Sequence, residues 1–261
     1  VMNTSIKPGT QVGVAPKAKL LNVKVFSLSG VATVSSIIAG IEWAVEHGAD
    51  VINMSFGGYP MAPKDQLVKA VEKAVAKGVV VVVAVVSAGN WGPGRFTVMS
   101  PGRSPSAVTV GSVYRTGEVV YFSSRGPAPY GMIHKPDLVA PGATVISAYQ
   151  NKTLKDVYYA EFWGSSAATA FVSGASALLV QAFSKRTPYM IKAGLVGGAS
   201  DLKVDPNVGG GGLLSVSGAY QYLSSDSGKT MFTLKEINSM TGPHITLFPG
   251  DFNVLNLTVL N

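Results

Sequence analysis

Cysteine is absent from the 261 residues, which excludes disulfides, thiol nucleophiles and thiolate metal sites and leaves the redox compartment open. Histidine is scarce, so imidazole chemistry has only His47, His134 and His244 to draw on. Charge is thin at 13% while 47% of the residues are hydrophobic, a balance that excludes a disordered chain. The net charge of +7 comes from basic residues spread singly, with Lys185-Arg186 as one short cluster. Such scatter builds no phosphate-tracking stripe, so no nucleic-acid partner is expected. The longest apolar run, Val79 to Val86, has eight residues against the roughly 20 that cross a bilayer, so no membrane span is expected. Gly-x-y periods, heptads and internal repeats are also missing, and Val1 with its polar followers does not make a signal peptide.

What is present is an alternation of strand-like and helix-like segments. KLLNVKVF at 19–26 has strand composition, and Ile37, Ile38, Ile41, Trp43, Ala44 and Val45 then mark an apolar helix face closed by His47-Gly48. A short strand at 50–54 precedes a second amphipathic helix at 63–77, carried by Leu67, Val68, Val71, Ala74 and Val75 and closed by Gly78. The Val run that follows is apolar on both faces, as a central parallel strand between two helical layers must be. Strands are expected at 107–110, 119–122 and 144–146, and helices at 167–183 and 188–196. The expected fold class is α/β: a three-layer α/β/α body with a mostly parallel central sheet, followed by a small β-rich tail. The body spans 1–223; residues 224–261, with MFTLKEI, HITLFPG and FNVLNLTVL separated by turns, form a β-rich extension or the start of a further β domain.

Two segments carry chemistry. In GSSAATAFVSG at 164–174, two hydroxyls open a long apolar helix, where unpaired N–H groups and the positive helix end favour developing negative charge. Helix capping by serine explains the same string, so both readings of Ser166 stand on the residues alone. In SAGNWGP at 87–93, Asn90 lies in a Gly-flanked turn beyond the carboxyl end of the Val strand, where open α/β sheets gather their ligands. Its amide can donate to an oxyanion, or it can bond its own turn. Asp137, beside Lys135 and Pro136, reads as a loop anchor with a local ion pair.

Taken together, GVAPKAKLLNVKVF at 13–26, IEWAVEHGADVINMSFGG at 41–58, SAGNWGP at 87–93, FSSRGP at 122–127, KPDLVAPG at 135–142 and GSSAATAFVSG at 164–174 resemble, in order and approximate spacing, the catalytic domain of subtilisin-like serine proteases. The resemblance covers roughly residues 12–223. It implies a serine endopeptidase acting on extended polypeptides, with Ser166 as nucleophile and Asn90 in the oxyanion hole. It also implies that Ser55, Phe56 and Gly57 form an edge that pairs with the substrate main chain, and that Val85, Val86, Ser87, Ala88 and Gly89 form part of the primary specificity pocket, left open by Gly89. The departures are local: Ser165 stands where the family has Thr, Ala167 where it has Met, Ala170 where it has Pro, and Phe171 where His is common.

The family's Asp strand motif and HGTH motif do not occur before Val12, and none of the three histidines matches its base. The expectation drawn from this is a domain lacking its amino-terminal part, with the catalytic Asp and His supplied by a missing segment or a separate chain and this chain nearly inactive alone. The alternative is a noncatalytic interaction or scaffold module that keeps the groove without acylating. The chemistry requires no cofactor. Structural calcium and a propeptide are further family associates, although no EF-hand-like run of ligands occurs here. An extracellular or cell-surface location follows from the resemblance alone, a setting in which the acceptor patterns Asn3-Thr4-Ser5 and Asn256-Leu257-Thr258 acquire meaning.

Overall fold

Most helices of this chain open on side chains that satisfy their own first turn. Thr33 and Ser36 form a reciprocal capping box on α1 (Val34–Glu46), and the Asp65 carboxylate accepts the Leu67 and Val68 amides to start α2 (Gln66–Ala76). Thr187 and Pro188 start α4 (Pro188–Gly197), and Ser215 caps α6 (Val216–Ser224). The long helix α3 (Ser165–Ala182) differs, because Gly164 precedes it at φ 139° and offers no capping side chain. Its amino end is left for other groups to use.

The computed structural model describes residues 2–3, 11–60, 65–77, 83–149 and 159–225. The strands are β1 (Met2–Asn3), β2 (Val51–Met54), β3 (Val83–Ser87), β4 (Val108–Val113), β5 (Leu138–Pro141), β6 (Val145–Ala148) and β7 (Tyr159–Phe162), with a short α5 (Pro206–Gly209) between α4 and α6. A parallel sheet runs in the order β2-β3-β4-β5, and a separate antiparallel sheet in the order β1-β7-β6.

Alternation along β3 explains the layering. Val83 and Val85 join Val108, Val110, Leu138 and Ala140 in a core closed by Ala168, Val172, Ala175 and Leu179 of α3 together with α4 and α6. Ala84 and Val86 face the other way, into a core with Ile37 and Ile41 of α1 and Leu67, Val71 and Val75 of α2. The result is the expected three-layer α/β/α body. Helix α3 is long and apolar enough to cross a bilayer by length and composition, but it packs along all four strands of the parallel sheet and belongs to the core.

Three sequence expectations change. Residues 19–26 form no strand: among the described residues β2 is the edge of its sheet, and Val23 and Val25 lie against Gly40 of α1 instead. The 119–122 segment makes one bridge, Val119 to Val113, and then turns. KPDLVAPG, where no strand was expected and Asp137 was read as a loop anchor, contributes β5, whose four residues are too few to display a period. The β-rich tail from 226, His244, both glycosylation patterns beyond Asn3, and the segments 61–64 and 78–82 lie outside the described residues.

Candidate active site

Parallel strands end together, and the loops that follow β2 and β3 meet the amino end of α3. Ser55 follows β2, Asn90 follows β3, and both reach the start of that helix. The Ser166 hydroxyl donates to the Ser55 carbonyl at 2.9 Å, and the Ser55 hydroxyl returns a bond to the Ser166 carbonyl at 2.8 Å. Asn90 Oδ1 accepts the Ser165 amide at 2.9 Å, which takes up one open N–H of the helix start. With its oxygen so engaged, the exposed Asn90 carboxamide presents Nδ2 on its other side, beside Gly164. A Cβ at residue 164 would lie 3.2 Å from that nitrogen, and φ there is 139°, so glycine is required twice over. The Ser166 N–H belongs to the first turn and has no acceptor within the helix. This half-buried corner therefore carries the Ser166 and Ser55 hydroxyls, one carboxamide and the positive end of an 18-residue helix.

Ser165 was not singled out from sequence beyond its replacement of Thr, yet it organises the corner. Fully buried, its Oγ lies 2.6 Å from Ser87 Oγ, 3.1 Å from the Gly89 carbonyl and 2.9 Å from Asn90 Oδ1, and it accepts the Gly89 amide at 3.2 Å. The hydroxyl ties the strand end, the turn and the helix start into one unit.

The residues expected to bind substrate distribute unevenly. Ser55 is in the site; Phe56 packs edge-on against Phe26 at 5.3 Å and leans on the second core; Gly57 is exposed beside Met99. Val85 and Val86 have no exposed surface and point into the two opposite cores. Ser87, Ala88 and Gly89 are buried at the strand end, where Ala88 accepts the Met99 amide at 2.9 Å and Gly89 faces the Met99 side chain.

Among the described residues, neither described histidine bonds to Ser166. His47 caps α1, its Nδ1 2.8 Å from the Trp43 carbonyl and its ring stacked on Trp43, while His134 Nδ1 lies 3.0 Å from Asn207 Oδ1. No group of three or more His, Asp or Glu side chains gathers to hold a metal ion among the described residues.

A second polar cluster lies at the opposite, amino ends of the strands. Asp137, just before β5, accepts Lys135 at 2.6 Å, Lys192 at 2.9 Å and the Thr109 amide at 2.7 Å. Lys135 also donates to the Ala107 carbonyl at 3.1 Å, and Lys192 to the Ala107 and Pro105 carbonyls at 2.7 Å each. Burial pushes the Lys135 ammonium down to about 7, with Asp137 opposing that shift and Lys192 adding to it. Burial resists ionisation of Asp137, and the two ammonium groups outweigh it, so its carboxyl is held below the usual range. This is the ion-paired anchor expected at Asp137, with a second lysine that sequence did not connect to it.

The subtilase family model matches residues 1–219. The chain belongs to the subtilase family, the subtilisin-like serine proteases. It is 37% identical over 235 residues to serine protease AprX of Bacillus subtilis, covering 79% of this chain and 52% of AprX, and 36% identical over 210 residues to subtilisin DY of Bacillus licheniformis, covering 80% and 71%. The subtilase chain thus spans about half the length of AprX. Among solved structures, a cold adapted subtilisin-like serine proteinase matches with TM-score 0.65 and 34% identity over 78% of this chain and 69% of its own. The protease domain of PatA, solved as a point mutant, matches with TM-score 0.69 and 28% identity over 84% and 76%. Family membership carries the extracellular or cell-surface setting that the resemblance implied.

The family match corrects the reading of the amino terminus. It begins at residue 1 and not near residue 12, so residues 1–11 lie within the match, and the expectation of a domain lacking its amino-terminal part is not supported. Within that stretch Met2–Asn3 is already integrated, pairing with β7. The assignment of the catalytic Asp and His to a missing segment, or to a separate partner chain, was drawn from the absent Asp strand and HGTH motifs, and the family match from residue 1 does not support it.

Proposed function

We propose that this subtilase hydrolyses peptide bonds through an acyl-enzyme on Ser166. The observation that carries the reading is the Asn90 carboxamide, whose Oδ1 accepts the Ser165 amide and whose Nδ2 stands beside Gly164 at the start of the helix that carries Ser166. An extended polypeptide pairs along Ser55 to Gly57, which brings a carbonyl to Ser166 Oγ. Attack forms the Oγ–C bond, and the carbonyl oxygen takes the charge where Asn90 Nδ2 and the Ser166 N–H converge with the helix dipole. Collapse breaks the C–N bond as the proton given up by Ser166 Oγ passes to the leaving amine, and water then cleaves the ester, its oxygen going to the acyl carbon and one of its protons back to Oγ. Removal of such a side-chain donor in subtilisin costs about 3–4 kcal/mol of transition-state stabilisation. The proton that Ser166 must release now rests against the Ser55 carbonyl, which holds it in place without removing it; this reading assigns no residue as base. This reading gives structural calcium no part in any step. This reading keeps the division between body and tail at 223/224, in the last turn of α6.

The rival, a noncatalytic binding module, draws on that same carbonyl contact. Fluorophosphonate labelling of the full-length protein separates the two. Labelling at Ser166 that Ser166→Ala abolishes is expected; a folded protein that takes up no label refutes acylation and leaves a binding groove.

A further inference from the structure

We infer that Met99 selects the substrate by closing the pocket beside the scissile bond, so that the residue on its acyl side must be small: Gly, Ala or Ser. The inference rests on the reading of Ser55 to Gly57 and Asn90 as the substrate site, and it adds the side-chain class.

Three separate loops carry the observation. The Met99 amide donates to the Ala88 carbonyl at 2.9 Å, and its neighbour Ser100 exchanges two backbone bonds with Gly58, at 2.9 and 3.0 Å. The 99–100 segment is thereby stitched between the loop after β2 and the loop after β3. The half-buried Met99 side chain fills the interval between the two. A Cβ at Gly57 would lie 2.8 Å from Met99 Cβ, and one at Gly89 only 2.5 Å from both Met99 Cγ and Sδ. Gly89 also sits at φ +109° and immediately precedes Asn90. A peptide laid along 55–57 with its carbonyl at Asn90 must send its acyl-side side chain between these same edges. Glycine on both walls clears that space, and Met99 fills it again from the third side. What is left suits hydrogen, a methyl or a hydroxymethyl group. The thioether is flexible, so a larger side chain can displace it at a free-energy cost, which makes the discrimination graded.

The test uses full-length protein carrying Ser166→Ala, so that no acylation occurs, and calorimetric binding of two tetrapeptide acids that differ only in a carboxy-terminal Ala or Phe. The Ala peptide is expected to bind at least tenfold more tightly. Met99→Ala should raise affinity for the Phe peptide tenfold or more and reverse the order, whereas Met99→Leu, which keeps the bulk and protects against a folding artefact, should preserve it. An unchanged order in folded Met99→Ala overturns the assignment, as does binding of neither peptide by any of the proteins. Because no bond is made in this assay, a preserved Ala preference alongside absent Ser166 labelling in the wild type defeats the acyl-enzyme reading and leaves the role of Met99 standing.

Discussion

Replacing Lys135 with methionine should change the pH dependence of stability without leaving any buried group unpaired. In the Lys135→Met protein, Asp137 keeps the Thr109 amide and Lys192, and the Ala107 carbonyl keeps Lys192. What disappears is a buried cation whose ionisation falls at about 7 in the fold against 10.5 for the unperturbed side chain. Below pH 7 this lysine is protonated in both folded and unfolded chains, and the cost of burying its charge is borne in full. Between pH 7 and 10.5 the unfolded chain binds a proton that the folded one does not, so the wild type gains stability as pH rises through that window. At about 1.4 kcal/mol per pH unit, the interval sets a ceiling of about 5 kcal/mol. Urea unfolding followed by tryptophan fluorescence, run on both proteins from pH 6 to 10, isolates the effect because every other titrating group is shared. The variant's advantage should be largest at pH 6 and shrink steadily toward pH 10. A difference that stays flat across the range refutes the argument, whatever its sign, since a packing change alone shifts the offset and not the slope.

Ser165→Ala removes a buried hydroxyl that touches Ser87, Gly89 and Asn90, and it should lower stability by about 1–3 kcal/mol, read as a drop in the thermal midpoint. Asn90→Ala should reduce kcat by about 10²- to 10³-fold, the size measured for that donor in subtilisin, with KM nearly unchanged; a loss confined to KM contradicts its placement at the oxyanion.

Sequence revealed the helices and layers because their signals are local. The apolar spacing from Ile37 to Val45 and from Leu67 to Val75 specifies a helix without reference to anything else, and Gly48, at φ 77°, follows the end of the first. A strand exists only through its partner, which is why KLLNVKVF looked like one and is not, and why four residues of KPDLVAPG became β5 unannounced. Val85 and Val86 carry a sharper lesson. The resemblance placed them in a pocket, yet a run apolar on both faces was already read as central strand, and alternation then commits neighbouring side chains to opposite cores. Ser166 and Asn90 were legible as a pair through their motifs, whereas Ser165 needed the packing that brings 87, 89 and 90 onto it. No sequence signal marks Met99, because its meaning lies in two glycines from other loops.

The parallel sheet also separates what the protein must keep rigid from what it must keep open. Ser55, Asn90 and Ser166 meet beyond the carboxyl ends of β2 and β3, while Lys135, Asp137 and Lys192 lie at the amino ends of β4 and β5. Strands of four to six residues at about 3.3 Å each put roughly 13–20 Å between those ends. Helix α3 packs along every strand in between, so Ser166 is mounted on the element with the broadest purchase on the sheet. Changes at the two ends share no partner and should add independently in stability. A charged cluster at one end of the sheet can therefore tune how stability follows pH without touching the start of α3 at the other.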